Sequence, residues 1–193
     1  MDSEKAVPGD GVVVRAIRAG EWGQARRLRL EALRDPVAEL AFLESYEAAA
    51  AKPDAHWREW TAGAAEGTRD RQQFIAETAG GEWVGSVTVL LERAGTVDPF
   101  GGTVACDQGH VVGVFVGPAY RGDGAGVTRA LFDAALEWAW AADVERVRLY
   151  VHERNTRAEA FYRKAGFVAS GVRATGPAGV GGFELEYEMK RSA

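Results

Sequence analysis

A glycine-rich segment that separates a strand pattern from a helix pattern constrains the fold of this chain more than any other feature. Residues 110–116 form an apolar, β-branched run that predicts a strand. The apolar residues of 124–141 recur at helical spacing: Val127, Leu131, Ala134 and Trp138. A second strand pattern follows at 146–151. Because a helix that crosses between two strands of one sheet usually leaves them parallel, the sequence predicts a parallel strand pair here.

The remaining segments complete a mixed α/β pattern. Helices are predicted over 21–34, 37–51, 54–64 and 156–164. Further strands are predicted over 12–17, 74–78, 83–92, 167–172 and 183–189. Gly80 and Gly81 predict a tight hairpin. At 193 residues and about 150 residues per domain, the chain is expected to form one domain over 11–193 after a loose leader at 1–10.

Composition excludes several classes of protein. With 47% hydrophobic and 26% charged residues, the chain resembles ordinary soluble proteins. Its formal net charge of −5 has the wrong sign for a nucleic-acid partner. The single cysteine, Cys106, excludes a disulfide framework and fits a reducing cytoplasm, and three scattered histidines predict no metal site. No apolar run approaches the roughly 18 residues of a membrane span, and the opening residues lack a signal-peptide pattern.

The glycine-rich segment 116–126 reads VGPAYRGDGAG and offers an anion-binding loop. Glycines leave backbone N–H groups free at the start of the helix, where phosphate oxygens bind, and Arg121 adds a guanidinium. A Walker A loop is excluded because Val127, and not lysine, follows Gly126. A dinucleotide fingerprint is excluded because Val127 stands where its third glycine is required. A glycine turn without a ligand is the remaining alternative.

A second motif, NTRAEAFYRKAGF, covers 155–167. Asn155 stands between a strand and a helix, where an N-cap is expected. Phe161 and Phe167 are predicted core residues. Tyr162 lies inside the helix and carries a hydroxyl that can donate a proton or a hydrogen bond, although this motif alone favours a purely structural tyrosine.

Together the two motifs resemble the GNAT superfamily of acyl-CoA-dependent N-acetyltransferases. The family's loop pattern is matched by Arg121, Gly124 and Gly126. Its carboxy-terminal pattern is matched by Asn155, Ala158, Tyr162, Gly166 and Phe167. The resemblance implies one α/β (α+β) domain with a mixed, mostly antiparallel sheet of about six to seven strands, flanked by helices. It also implies that the parallel pair is splayed at the cofactor site.

The resemblance further implies that acetyl-CoA is the acyl donor and assigns residues to it. The strand residues Val114, Phe115 and Val116 would contact the pantetheine arm. The pyrophosphate would lie on the loop formed by Arg121, Gly122, Asp123, Gly124, Ala125, Gly126 and Val127. Asn155 would lie near the cofactor, and Tyr162 would protonate the departing thiolate. Asp123 departs from the basic residue that the family often has there, which weakens the expected affinity.

Direct acyl transfer also requires a base that takes a proton from the acceptor amine. His110 is a candidate because an imidazole pKa of about 6.5 suits proton uptake near neutrality. Glu153 and Glu77 are the alternatives. A strand N–H near Val114 could stabilise the oxyanion. Cys106 has no neighbouring group that would activate it and is interpreted as a spectator.

The acceptor is the least constrained part of the prediction. The acidic segment 35–51 and the nearby Trp57 and Trp60 could attract a cationic amine, although a solvated helix face is the favoured interpretation of the segment. Glutamates that alternate with apolar residues predict a half-exposed strand: Glu184, Glu186 and Glu188. We expect a small primary amine as acceptor. A protein α-amino group or lysine, or a non-catalytic acyl-CoA sensor, are the alternatives, and a homodimer is allowed.

Overall fold

The computed structural model describes residues 5–6, 11–122, 126–176 and 180–191. Within them the strands form a sheet with the order β1-β2-β3-β4-β5-β6-β8-β7. The strands are β1 Lys5–Ala6, β2 Val12–Ala16, β3 Arg71–Thr78, β4 Trp83–Glu92, β5 Gln108–Val116, β6 Arg146–His152, β7 Val168–Thr175 and β8 Phe183–Lys190. All neighbouring strands are antiparallel except β5 and β6, which are parallel. The predicted fold class and parallel pair are confirmed.

Helices cover both faces of this sheet. They are α1 Trp22–Ala32, α2 Ala38–Ala41, α3 Tyr46–Ala50, α4 Asp54–Gly63, α5 Val127–Ala141 and α6 Thr156–Lys164. The crossover helix α5 packs through Leu131 and Phe132 into a core of sheet residues that also includes Val87 and Val147. On the other face, α1 and α4 bury Leu28 and Trp57 in a second core. None of the described helices is long and apolar enough to cross a lipid bilayer.

The predicted helix over 37–51 is wrong, because two short helices occupy this segment. Phe42, after α2, is extended with φ −136° and ψ 141°, and its side chain is buried. Ser45 then starts α3, since its Oγ accepts a hydrogen bond from the N–H of Ala48. Burial of Phe42 against α1 and α4 therefore overrides the helical propensity of the segment. In the predicted leader 1–10, Lys5–Ala6 forms β1, and its other residues lie outside the described ranges.

The sheet face opposite α5 is polar where β4, β5, β6 and β8 meet. Here the prediction of a half-exposed strand for β8 is wrong, because Glu184, Glu186 and Glu188 are 6%, 2% and 9% exposed. Arg148 explains much of this burial. Its guanidinium bonds to Glu186 Oε2 at 3.0 Å and to Asp98, in the loop after β4, at 3.2 Å. The loop is thereby held over the polar face.

Candidate active site

The parallel strands β5 and β6 separate partway along their length. Their pairing ends at Val111 with Leu149. β5 nevertheless continues to Val116, and β6 continues to His152. Backbone groups of β5 beyond Val111 are therefore free of sheet pairing on the side of β6. A cavity of about 1060 Å³ opens there, lined by both strands, by the helices α1, α2, α4 and α6, and by the start of α5.

Gly113 gives β5 the local geometry for this divergence. Its φ is +63°, a conformation that side chains disfavour, and the register between β4 and β5 shifts between Ser86 and Thr88. A bulge of this kind bends the strand that carries it. The bend lies at the point where β5 leaves β6, next to Val114, Phe115 and Val116, all of which line the cavity.

The start of α5 forms one end of the cavity. Gly126 is the N-cap residue, has φ +65° and offers no side chain to the free N–H groups of the first turn. Arg121, Gly122 and Gly126 line the cavity, whereas Val127 is fully buried in the core. A helix N-terminus of this kind favours an anion. The predicted loop residues Asp123, Gly124 and Ala125 lie outside the described ranges.

Arg121 connects the end of β5 to the helical layer. Its Nε donates to the carbonyl oxygen of Val116 at 2.6 Å. Its Nη2 forms an ion pair with Asp35, whose side chain is 4% exposed. The guanidinium also lies 5.7 Å from the centroid of the Phe115 ring. These contacts make Arg121 a residue that fixes the position of the loop, in addition to any direct contact with a phosphate.

The helix α6 supplies two of the predicted site residues. Asn155 is its N-cap, since Oδ1 accepts a hydrogen bond from the N–H of Ala158 at 3.3 Å, and it lines the cavity. Tyr162 also lines the cavity and is 8% exposed. Its ring contacts three aromatic rings, those of Phe132, Phe161 and Phe167. Burial raises the pKa of Tyr162 above 10.0, so the hydroxyl stays protonated at neutral pH.

His110 lines the cavity and forms a dyad with Glu92. Nδ1 of His110 lies 2.8 Å from Oε1 of Glu92. Although burial alone would raise it, the pKa of Glu92 is lowered to about 2 by the hydrogen bond and the charge of His110, by the hydrogen bond from Gln108 and by the charge of Arg148. An ionised carboxylate can only accept a hydrogen bond, so Nδ1 of His110 carries a proton and donates a hydrogen bond to Glu92. The neutral imidazole then has its lone pair on Nε2.

The other two candidate bases lie away from the cavity lining. Oε2 of Glu153 accepts a hydrogen bond from Arg173 at 3.3 Å, and its Oε1 accepts one from the N–H of Phe183 at 3.3 Å. Oε2 of Glu77 accepts a hydrogen bond from Nε of Arg15 at 2.9 Å. The structure thus brings His110, but neither of these glutamates, together with Tyr162 around one cavity.

Opposite α6 the cavity is bordered by aromatic and uncharged polar groups. They are Trp57 and Trp60 from α4, Phe100 from the loop after β4, Tyr150 from β6, and Gln73, Ser86 and Thr88 from β3 and β4. The acidic segment 35–51 contributes two carboxylates, which are both paired: Asp35 with Arg121, and Glu44 with Arg29 and Lys52. This part of the cavity is called the acceptor half below.

Glu92 and Tyr150 border the site and are not among the residues predicted from the sequence. Glu92 ends the predicted strand 83–92, in phase with Thr88 and Leu90, so its alternation alone indicates an inward-facing side chain. Tyr150 follows the same rule on β6, where it shares a face with Arg148. The ring centroids of Tyr150 and His110 lie 5.7 Å apart, and those of Tyr150 and Phe100 lie 4.5 Å apart. The sequence pattern does not show which face of the sheet is covered by the loop after β4, and this is why the two residues could not be placed in the site.

Comparison with known proteins identifies relatives with this architecture. An acetyltransferase of the GNAT family from Streptococcus pneumoniae matches with a TM-score of 0.72 at 16% identity, covering 93% of this chain and 99% of that one. PaiA N-acetyltransferase from Thermoplasma acidophilum, solved in complex with coenzyme A, matches with a TM-score of 0.66 at 15% identity, covering 93% and 99%. At these identities the likeness shows the fold.

A sequence relative and a family model narrow the classification. Mycothiol acetyltransferase from Beutenbergia cavernae is 42% identical over 66 residues, which is 34% of this chain. The match spans only 22% of the length of that protein. The model of the Acetyltransferase (GNAT) family matches residues 30–167, well over half of the chain and including β5, α5, β6 and α6. The chain therefore belongs to the GNAT family of acetyltransferases.

Proposed function

We propose that this protein transfers an acetyl group from acetyl-CoA to a primary amine of a small molecule. The observation that carries the proposal is the divergence of β5 from β6 beside the N-terminus of α5. It supplies unpaired strand groups for a linear amide-containing arm and free helix N–H groups for its pyrophosphate. The helix α2, which contacts β6, covers the acceptor half and favours a small acceptor over a protein surface.

The residues present fit acetyl-CoA as the acyl donor. Backbone groups of Val114, Phe115 and Val116 bind the pantetheine arm, and the N–H groups at Gly126 and the first turn of α5 bind the pyrophosphate. Arg121, fixed by Asp35, holds the loop in place. Asn155 caps α6 on the opposite wall of the cavity.

His110 is the general base in this proposal. Its Nε2 takes a proton from the acceptor ammonium, directly or through water, so that the neutral nitrogen can attack the thioester carbonyl. Glu92 fixes the tautomer and stabilises the imidazolium that results, since its low pKa keeps it ionised. A carboxylate has the same role towards histidine in other acyl-transfer enzymes.

Tyr162 is the general acid. The attack produces an oxyanion, which an N–H of the β5 bulge stabilises, and collapse of that intermediate expels the CoA thiolate. The hydroxyl of Tyr162 is protonated at neutral pH, so Tyr162 can donate a hydrogen bond, and with it a proton, to the sulfur as the thiolate departs. Its position on the cavity wall next to Phe132 and Phe161 keeps the hydroxyl away from bulk water.

Acetyl-CoA binding and amine-dependent release of CoA test the proposal. Calorimetry is expected to show saturable binding of acetyl-CoA, and a thiol assay is expected to show CoA release with a panel of small amines. Release only with peptides would place the acceptor on proteins, and binding without release for any acceptor would identify a sensor. Absence of binding at millimolar acetyl-CoA would contradict the proposal as a whole.

A further inference from the structure

The acceptor half contains a carboxylate that the proposed reaction does not use. Among the described residues, three carboxylates line the cavity: Asp35, Glu44 and Glu184. Asp35 and Glu44 are paired with arginine or lysine. No ion pair or hydrogen bond within the described ranges involves the carboxylate of Glu184, although the residue is only 6% exposed. Buried carboxylates are normally paired, whereas this one has no such partner in the described part of the chain and faces the cavity.

The nearest titratable neighbour of Glu184 does not supply that partner. His152 lies beside Glu184 in the register of β6 and β8. Its Nδ1 accepts a hydrogen bond from the N–H of Arg154 at 3.2 Å, so its proton is on Nε2. Nε2 donates a hydrogen bond to the carbonyl oxygen of Gly181, at an N–O distance of 2.7 Å. Both ring nitrogens of His152 are therefore occupied by backbone groups.

The charged side chains near Glu184 on β8 and β7 form ion pairs with other residues. On β8, Glu186 binds Arg146 and Arg148, and Glu188 binds Arg146. On the neighbouring edge strand β7, Arg173 pairs with Glu153. Burial without a partner raises the pKa of the Glu184 carboxyl, in contrast to the pKa of Glu186, which its arginines lower against the effect of burial. Glu184 is thus prepared for a cation that enters through the cavity.

Strand geometry separates Glu184 from the proposed base. In register, His110 lies beside Arg148 of β6, whereas Glu184 lies beside His152, further along the same strand. With about 3.3 Å per residue and about 4.8 Å between strands, the Cα atoms of His110 and Glu184 are roughly 16 Å apart. Side chains stand nearly perpendicular to a sheet and keep much of that separation. One nitrogen therefore does not contact both groups.

We propose that Glu184 binds a second cationic group of the acceptor while the reacting amine lies at His110. This inference rests on the proposed function and specifies its substrate class: a diamine, or an amine that carries another cation at its far end. The rings of Tyr150 and Phe100 border the cavity between the two positions and provide aromatic surface for the connecting chain and its cationic ends.

A matched pair of acceptors tests this inference. We would measure CoA release with α,ω-diamines of four to eight carbons and with monoamines of the same chain lengths. The wild-type protein is expected to prefer the best diamine over its matched monoamine at least tenfold in kcat/KM, mainly through KM. In Glu184→Gln the preference is expected to disappear, while kcat for the monoamine stays unchanged.

The variant Glu188→Gln is the control, because Glu188 lies on the same strand and is not part of the cavity lining. It is expected to keep the diamine preference even if its melting temperature falls. Equal use of diamine and monoamine by the wild type, a preference that survives in Glu184→Gln, or no release with any diamine would each overturn the inference. Acetyl-CoA binding, measured separately by calorimetry, shows whether the proposed function fails at the same time.

Discussion

Oε1 of Glu92 lies 2.8 Å from Nδ1 of His110, so a carboxylate at the end of β4 orients the imidazole on β5. The dyad crosses two neighbouring strands and stands at the edge of the cavity rather than in a loop. Strand residues have little freedom to move, which suits a base that must keep its position relative to the acyl donor.

Replacement of Glu92 by glutamine is expected to reduce kcat, because His110 loses the charge that stabilises its protonated form. The ascending limb of the kcat–pH profile is expected to shift to lower pH, because an imidazole without the neighbouring negative charge gives up its proton at lower pH. Steady-state kinetics across the neutral range measure both effects. Asp98→Asn is the matched control: it removes a different carboxylate from Arg148 and leaves the His110 contact intact. An identical change in both variants would show that Glu92 acts through Arg148 alone.

Glu92 also determines part of the acid stability. Its pKa falls from 4.5 in the unfolded chain to about 2 in the folded protein, so its stabilising contribution is complete above pH 4.5 and is lost as the pH drops towards 2. We expect Glu92→Gln to flatten the pH dependence of the free energy of unfolding in this window. Urea unfolding of the wild type and the variant at several pH values measures this pH dependence. An unchanged slope between pH 4.5 and 2 would contradict the assignment.

Removal of the Tyr162 hydroxyl separates chemistry from packing. In Tyr162→Phe the ring can keep its contacts with Phe132 and Phe167, so the melting temperature and the affinity for acetyl-CoA are expected to stay close to wild type. Loss of a general acid is expected to lower kcat roughly 10²- to 10⁴-fold. A kcat within a factor of two of wild type would make Tyr162 a structural residue.

The ion pair between Arg121 and Asp35 is expected to support acetyl-CoA binding indirectly. Asp35→Asn removes the partner without touching the loop and is expected to weaken acetyl-CoA binding in the same direction as Arg121→Gln. In a double-mutant cycle on stability, the two changes are expected to couple by on the order of 1 kcal/mol. Full additivity in both unfolding and calorimetry would show that the two side chains act independently.

Replacement of Gly113 by alanine is expected to cause no steric clash but to strain the backbone. A Cβ there would meet only Oγ1 of Thr88, at 3.9 Å, yet φ is +63°. The strain is expected to lower the free energy of unfolding by about 1–2 kcal/mol and to reduce activity as the bulge rearranges. Gly20→Ala serves as control, since no atom lies within 4 Å of its Cβ position. Equal effects of the two substitutions on stability and activity would show that the bulge at Gly113 does not shape the site.

Periodicity and glycine placement were sufficient to predict β2 to β8, the crossover helix α5 and the parallel pair, because these depend on local patterns of burial, whereas β1 lies in the predicted leader. The segment 37–51 could not be predicted in this way, since tertiary burial of Phe42 ends one helix before Ser45 begins the next. The roles of Glu153, Asn155 and Tyr162 in the reaction stay predictions. The roles of Glu92 and Glu184 were not predicted, and the reason is the same for both. The alternation of residues along β4 and β8 does not show which face of the sheet is covered by a distant loop.

The guanidinium of Arg148 bonds at once to Glu92 on β4, Asp98 in the loop, and Tyr150 and Glu186 on β6 and β8. A substitution on this face of the sheet is therefore expected to disturb several strands together. Engineering of the proposed acceptor preference is therefore expected to succeed more readily at cavity-lining side chains of α1, α2 and α4, which lie outside this network.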